Sequence, residues 1–226
     1  MLKKLSIAAA TTLGLTMLVD INPAQAALIV SPVDATATSE FTPGGEIINT
    51  INQSGLSIGF TSGVDDFDTY LAQNPLHTLV FAGNEWFSNF QGPNQTITYD
   101  LGSILAIDRL ALWNEEGAGI SSFNILSSND GVNFSTILSG VSPINNPINN
   151  DYSAEVIDFG SVVNAQFVQF EITGCENANL CGIGEVAFAT AESLPEAVPE
   201  PTALLGLLGA GALGATSLKR KQEQEK

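Results

Sequence analysis

The sequence predicts an all-β fold, an antiparallel β-sandwich, on three observations. Short segments of the central region alternate apolar and polar residues, none of it keeps a long 3.6-residue apolar period, and turn formers separate the alternating segments. In residues 96–101, Ile97, Tyr99 and Leu101 point one way and Thr96, Thr98 and Asp100 the other. In residues 167–173, Val168, Phe170 and Ile172 share a face opposite Gln169 and Glu171. Further strands are expected at 104–114, 122–128, 135–138, 155–158 and 184–189. Between them fall Gly102-Ser103, Glu116-Gly117-Ala118-Gly119, Asn129-Asp130-Gly131 and an Asn/Pro-rich loop over 143–151. Many short strands joined by such turns argue for a sandwich.

Both ends of the chain frame this domain. Lys3 and Lys4 precede an apolar run over 5–19, and Ala24-Gln25-Ala26 supplies small residues at the cleavage positions, so residues 1–26 read as a secretory signal peptide cut after Ala26. At the other end Pro199, Glu200 and Pro201 are followed by an uncharged run over 202–218 and the basic cluster Lys219, Arg220, Lys221. As a helix that run reaches about 25 Å, a little short of a hydrocarbon core of about 30 Å. The basic cluster would stay cytoplasmic, which leaves the preceding domain outside the inner membrane. This order of parts resembles the PEP-CTERM sorting signal of bacterial surface proteins. The resemblance implies an exosortase-type processing enzyme as a partner and a transient membrane anchor over 198–226. The expected location is the cell surface or the extracellular matrix.

Residues 27–197 remain as one domain, long enough to bury roughly 70% of the surface its unfolded chain exposes. It carries 20 of the 24 acidic residues and a single basic one, Arg109. Such a field repels phosphate backbones, so nucleic acid is excluded as a partner, and it repels anionic lipid and acidic polysaccharide unless cations bridge them. Cys175 and Cys181, six positions apart in an exported chain, suggest one disulfide stapling a loop. Two thiols outside a CxxC spacing and one histidine, His77, do not build a zinc tetrad. His77 reads as a loop residue.

Within the domain, Trp86-Phe87-Ser88, Asp100-Leu101-Gly102, the hairpin 128–134 (Ser-Asn-Asp-Gly-Val-Asn-Phe) and the strand 167–172 (Phe-Val-Gln-Phe-Glu-Ile) occur in order, followed by Gly184-Glu185-Val186-Ala187-Phe188. Together they resemble discoidin-like domains, also called coagulation-factor type C or galactose-binding-like domains, and the resemblance implies a jelly-roll form of the sandwich. Residues 59–84 are longer and less regular than the family's opening, and the basic residues of its lipid-binding members are missing. The resemblance also implies a structural calcium, by position at Asn52, Ser57 and Glu185. Oxygen ligands from loops suit so hard a cation.

Sugar sites combine an aromatic face for the ring with carboxylates or amides for the hydroxyls. The residue types that fit are Trp113, Asn114 and Glu115 at a strand end, with Phe67, Asp68 and Tyr70 in the long loop. No catalysis is expected: Glu115 and Glu116 as strand neighbours point apart, and one histidine without Gly-x-Ser-x-Gly gives no nucleophile constellation. The function expected is recognition of a neutral glycan of the extracellular matrix. The alternative is a structural or adhesion protein without a small-molecule ligand. Exposure of Trp113 separates the two, since a sugar platform must reach solvent.

Overall fold

The structure, a computed structural model, describes residues 26–192. Residues 1–25 of the expected signal peptide, the motif Pro199, Glu200, Pro201 and the expected membrane helix lie outside the described residues. Among the described residues no helix is long and apolar enough to cross a membrane. Ten strands make up the domain: β1 (Ile29–Val30), β2 (Asp34–Ala37), β3 (Leu76–His77), β4 (Trp86–Phe87), β5 (Gln95–Asn114), β6 (Ile120–Ser128), β7 (Ser135–Val141), β8 (Tyr152–Ser153), β9 (Glu155–Cys175) and β10 (Gly182–Thr190). A 3-10 turn (Ile47–Ile51) and one short helix, α1 (Phe67–Leu71), complete it. Every pairing between these strands is antiparallel.

Two long strands, β5 and β9, build both layers of the sandwich. The first part of β5 pairs Gln95 to Asp100 with Ile172 to Phe167, and its last part pairs Arg109 to Leu112 with Asp158 to Glu155. Register breaks between Asp100/Leu105 and Ile107/Arg109 separate the two parts, beside Gly102 at φ +79°. Strands that switch layer through such irregularities make the corners of a sandwich. One layer therefore runs β2, β5, β9, β6, β7, and the other β1, β10, β5, β9 with β4 alongside β10. The segments expected separately at 96–101 and 104–114 are one strand, and so are 155–158 and 167–173. Turn residues inside them bend the strands without ending the pairing.

The main core lies between the layers. Ile97, Tyr99, Phe123, Ile125, Val168 and Phe170 from one layer meet Leu110, Leu112, Val186 and Phe188 from the other. Tyr99 stands edge-on to Phe170 at 5.2 Å and Phe123 lies 4.9 Å from the same ring. Burying each such side chain stabilises by about 1.5–3 kcal/mol.

Strand alternation sends Ala111, Trp113, Ala187 and Ala189 to the opposite face of the second layer, where a second core forms. Ala27, Ile29, Phe60, Phe67, Tyr70 and Tyr152 cover it. The long irregular segment over 59–84 thus has a structural task, closing the outer face of a sheet. His77, expected in a loop, lies instead in β3, paired with β8 and fully buried, 5.1 Å from the Tyr152 ring.

Candidate functional site

The sugar platform expected at Trp113 does not exist in the fold. Trp113 is fully buried, and its indole N–H donates to the carbonyl of Pro75 at 2.9 Å. Phe67 and Tyr70 are buried beside it in the second core, with the Tyr70 hydroxyl donating to the Ile58 carbonyl at 2.7 Å and Phe60 edge-on to Tyr70 at 5.0 Å. The short helix α1, capped by the Asp66 side chain accepting from the Thr69 N–H, brings these aromatics inward onto the sheet. Asp68, 58% exposed, faces out and pairs with Arg109 at 2.9 Å, while the guanidinium lies 5.1 Å from the Phe67 ring centre. Asn114 is a fastener: its amide donates to the carbonyls of Ile120 and Ile144 and its carbonyl oxygen accepts from the Ile120 N–H.

Glu115 and Glu116 do not point apart. The strand ends at Asn114 and the chain turns through Gly117 and Ala118, bringing both carboxylates against Glu85. All three are buried, and one oxygen of each lies within 4.8 Å of the others. Glu115 Oε2 accepts from the N–H groups of Gly117 and Ala118, and Glu85 Oε1 accepts from the Tyr152 hydroxyl at 2.6 Å. Burial is the main reason that Glu85 is pushed up to about 7 and Glu115 to about 8, the latter helped by a hydrogen bond shared with Glu116. His77 stands 3.8 Å from Glu85, with its ring nitrogens against the carbonyls of Thr78 and Asn84, and burial lowers its pKa.

Of the residues expected at calcium, Glu185 is fully buried on β10, with Oε2 accepting from the Gln53 N–H at 2.9 Å and Oε1 without a partner. Burial raises its pKa well above the ordinary carboxylate range. Asn52 and Ser57 are exposed and close their own loop, Asn52 Oδ1 accepting from Ser54 N–H and Ser57 Oγ from Leu76 N–H. The orphaned Glu185 oxygen fits a cation, whereas the two loop side chains are committed to backbone donors.

An aromatic pocket does reach solvent, at residues the sequence did not single out as a ligand site. Phe41, Phe81, Phe87, Phe90 and Leu180 line a cavity of about 190 Å³. Phe41 lies 5.6 Å from both Phe81 and Phe90, and Phe81 stands edge-on to Phe87 at 5.0 Å. Phe87 is buried, whereas Phe81 is 38% and Phe90 66% exposed. Phe90 is held at φ +52°, a conformation costly for a bulky side chain. The Leu180 wall is fixed by the Cys175–Cys181 disulfide, whose Cα atoms are 5.4 Å apart, by reciprocal bonds between Ser88 and Cys181, and by the Gly92 N–H donating to Asn179. Phe87 belongs to the Trp86-Phe87-Ser88 motif, and the clustering of Phe81, Phe87 and Phe90 around it was the available signal.

The F5/8 type C domain profile matches residues 66–186, and a PEP-CTERM protein-sorting motif matches residues 197–221. No curated protein matches the chain. Two solved structures share the fold. One is a truncated AlyQ with CBM32 and alginate lyase domains, at 20% identity and a TM-score of 0.51 over 75% of this chain. This chain spans only 35% of that protein's length. The other is CpGH89CBM32-5 from Clostridium perfringens, solved with GalNAc-beta-1,3-galactose, at 19% identity and a TM-score of 0.50 over 74% of this chain and 100% of its own. Since the profile covers more than half of the 226 residues and takes in β3 to β9 with the first part of β10, the chain belongs to the F5/8 type C, or discoidin-like, domain family and carries a PEP-CTERM sorting motif behind that domain.

Proposed function

We propose that this protein is an exported, surface-sorted binding module that recognises a neutral glycan of the extracellular matrix through the phenylalanine pocket. The observation that carries the reading is the pair of exposed rings, Phe81 and Phe90, braced by Phe41 and Phe87 around one cavity. Aromatic faces stack on the C–H faces of sugar rings, and the exposed amides of Asn89, Gln91 and Asn179, chain neighbours of Phe90 and Leu180, are suited to hydroxyl groups. The strain at Phe90 supports it too, because backbone strain collects where a side chain must be displayed. None of the five lining side chains titrates, so the chemistry they offer is recognition and not proton transfer. The acidic surface argues for a neutral ligand. CpGH89CBM32-5, with the same fold, was solved with a disaccharide, which is in keeping with the reading.

In this reading residues 1–26 direct export, 27–197 form the binding domain, and 198–226 anchor the chain until an exosortase-type enzyme acts on the tail. A second reading rests on the purely hydrocarbon lining: the pocket takes an apolar side chain of a matrix protein, as in a structural or adhesion role. Calorimetric titration of the full chain with a panel of neutral oligosaccharides decides. We expect saturable binding that Phe90→Gly weakens at least tenfold while the melting temperature holds or rises, since glycine relieves the positive φ. Absence of binding across the panel, or binding that neither Phe90→Gly nor Phe81→Ala alters, overturns the reading.

A further inference from the structure

We propose that Glu85, Glu115 and Glu116 form a site for a hard divalent cation of the calcium type, separate from Glu185 and from the aromatic pocket. One oxygen of each carboxylate lies within 4.8 Å of the others. A calcium ion holds its oxygens at about 2.3–2.6 Å, so ligands on one ion stand up to about 5 Å apart, and the three oxygens can share a single ion.

The hydrogen bonding leaves this set open. Glu115 commits Oε2 to the N–H groups of Gly117 and Ala118, and Glu85 commits Oε1 to Tyr152, so each keeps its other oxygen free of a protein donor. These donors fix the direction of two ligands, as outer partners do in metal sites. Glu116 is only 8% exposed, its Oε2 is buried with no hydrogen-bond partner, and one of its oxygens lies within 4.8 Å of the other two carboxylates. An unpartnered carboxylate at that depth is costly unless a cation meets it.

The described residues hold little positive charge to supply that need. Arg109, their only Lys or Arg, is engaged by Asp68 and Asp108. His77, beside Glu85, can supply at most one charge against three. All the available ligand atoms are oxygen, which selects a calcium-like ion over a soft metal.

The test uses the full chain stripped with chelator, then titrated with calcium by calorimetry and followed by melting temperature. Wild type is expected to bind calcium and to melt higher with it. Glu116→Gln, nearly isosteric and still able to hydrogen-bond Glu115, is expected to weaken the affinity at least tenfold while the metal-free protein melts no lower than wild type. Glu185→Gln is expected to keep this binding event. Glu85→Gln, read the same way, serves as the second variant. No calcium binding by wild type, or affinity unchanged in both Glu116→Gln and Glu85→Gln, overturns the proposal.

Discussion

Trp113 shows how one side chain can be read correctly for type and wrongly for place. Its indole is fully buried and donates to Pro75, so its contribution is packing plus one satisfied polar group. Trp113→Phe removes ring volume and leaves the Pro75 carbonyl without that donor, and each loss destabilises a buried site. We expect a cost of about 2–4 kcal/mol in urea unfolding, with glycan affinity of the folded protein unchanged. Loss of sugar binding without loss of stability would restore Trp113 as a platform. Alternation along β5 placed Trp113 opposite Leu112, but periodicity does not tell what covers the outward face. By contrast, the turn at Asp130 was legible. Asp130 Oδ1 accepts from the N–H groups of Val132 and Asn133, and Gly131 supplies φ +71°, the local chemistry that an Asn-Asp-Gly sequence announces. Phe90 was not legible, since its value lies in exposure and in contacts with Phe41, which is 49 positions away.

At the scale of elements, the cover over the outer face depends on how α1 is held. A helix of five residues has little stability of its own and takes its place from tertiary contacts. Phe67 and Tyr70 supply the apolar contact, while Arg109 on β5 adds a salt bridge to Asp68 and a cation–π contact to Phe67. Asp68 is more than half exposed, so the ion pair is screened and modest. Arg109→Gln is therefore expected to cost about 1 kcal/mol in urea unfolding, a penalty that shrinks in high salt to the cation–π share. A cost that does not change between low and high salt would show the ion pair to be idle. Alternation located the strand segments but could not show that β5 and β9 are continuous, because Gly102 and the residues after it read as a turn. In the fold they are the corner where a strand changes layer. The same difficulty hid the carboxylate cluster: Glu115 and Glu116 diverge on a strand and converge only because the strand ends one residue earlier.

For the whole molecule, charge is the dominant property: 24 acidic residues against 7 basic ones and a net charge of −17. Spread over an exposed surface, such charge keeps an exported protein soluble; the exceptions are the carboxylates that folding buries. Glu85 and Glu115 are pushed up to about 7 and about 8 from an ordinary value of 4.5, chiefly by burial. Glu116, Tyr152 and His77 face them, and none is a fixed positive charge. A carboxyl whose pKa is raised in the fold holds a proton that the unfolded chain releases, so folding binds protons. Its stabilisation is full below about pH 4.5 and is lost as pH rises through 7 and 8. In chelator, the melting temperature is therefore expected to fall between about pH 5 and pH 8.5, opposite in sign to a domain held together by ionised salt-bridged carboxylates. Glu115→Gln, which carries no charge to bury, should flatten that slope. Calcium should flatten it as well, because a bound cation replaces the protons that the cluster gives up, and its effect should grow with pH as the competing protons leave. A metal-free melting temperature that rises steadily across that window would mean that the three carboxylates are not buried together in solution.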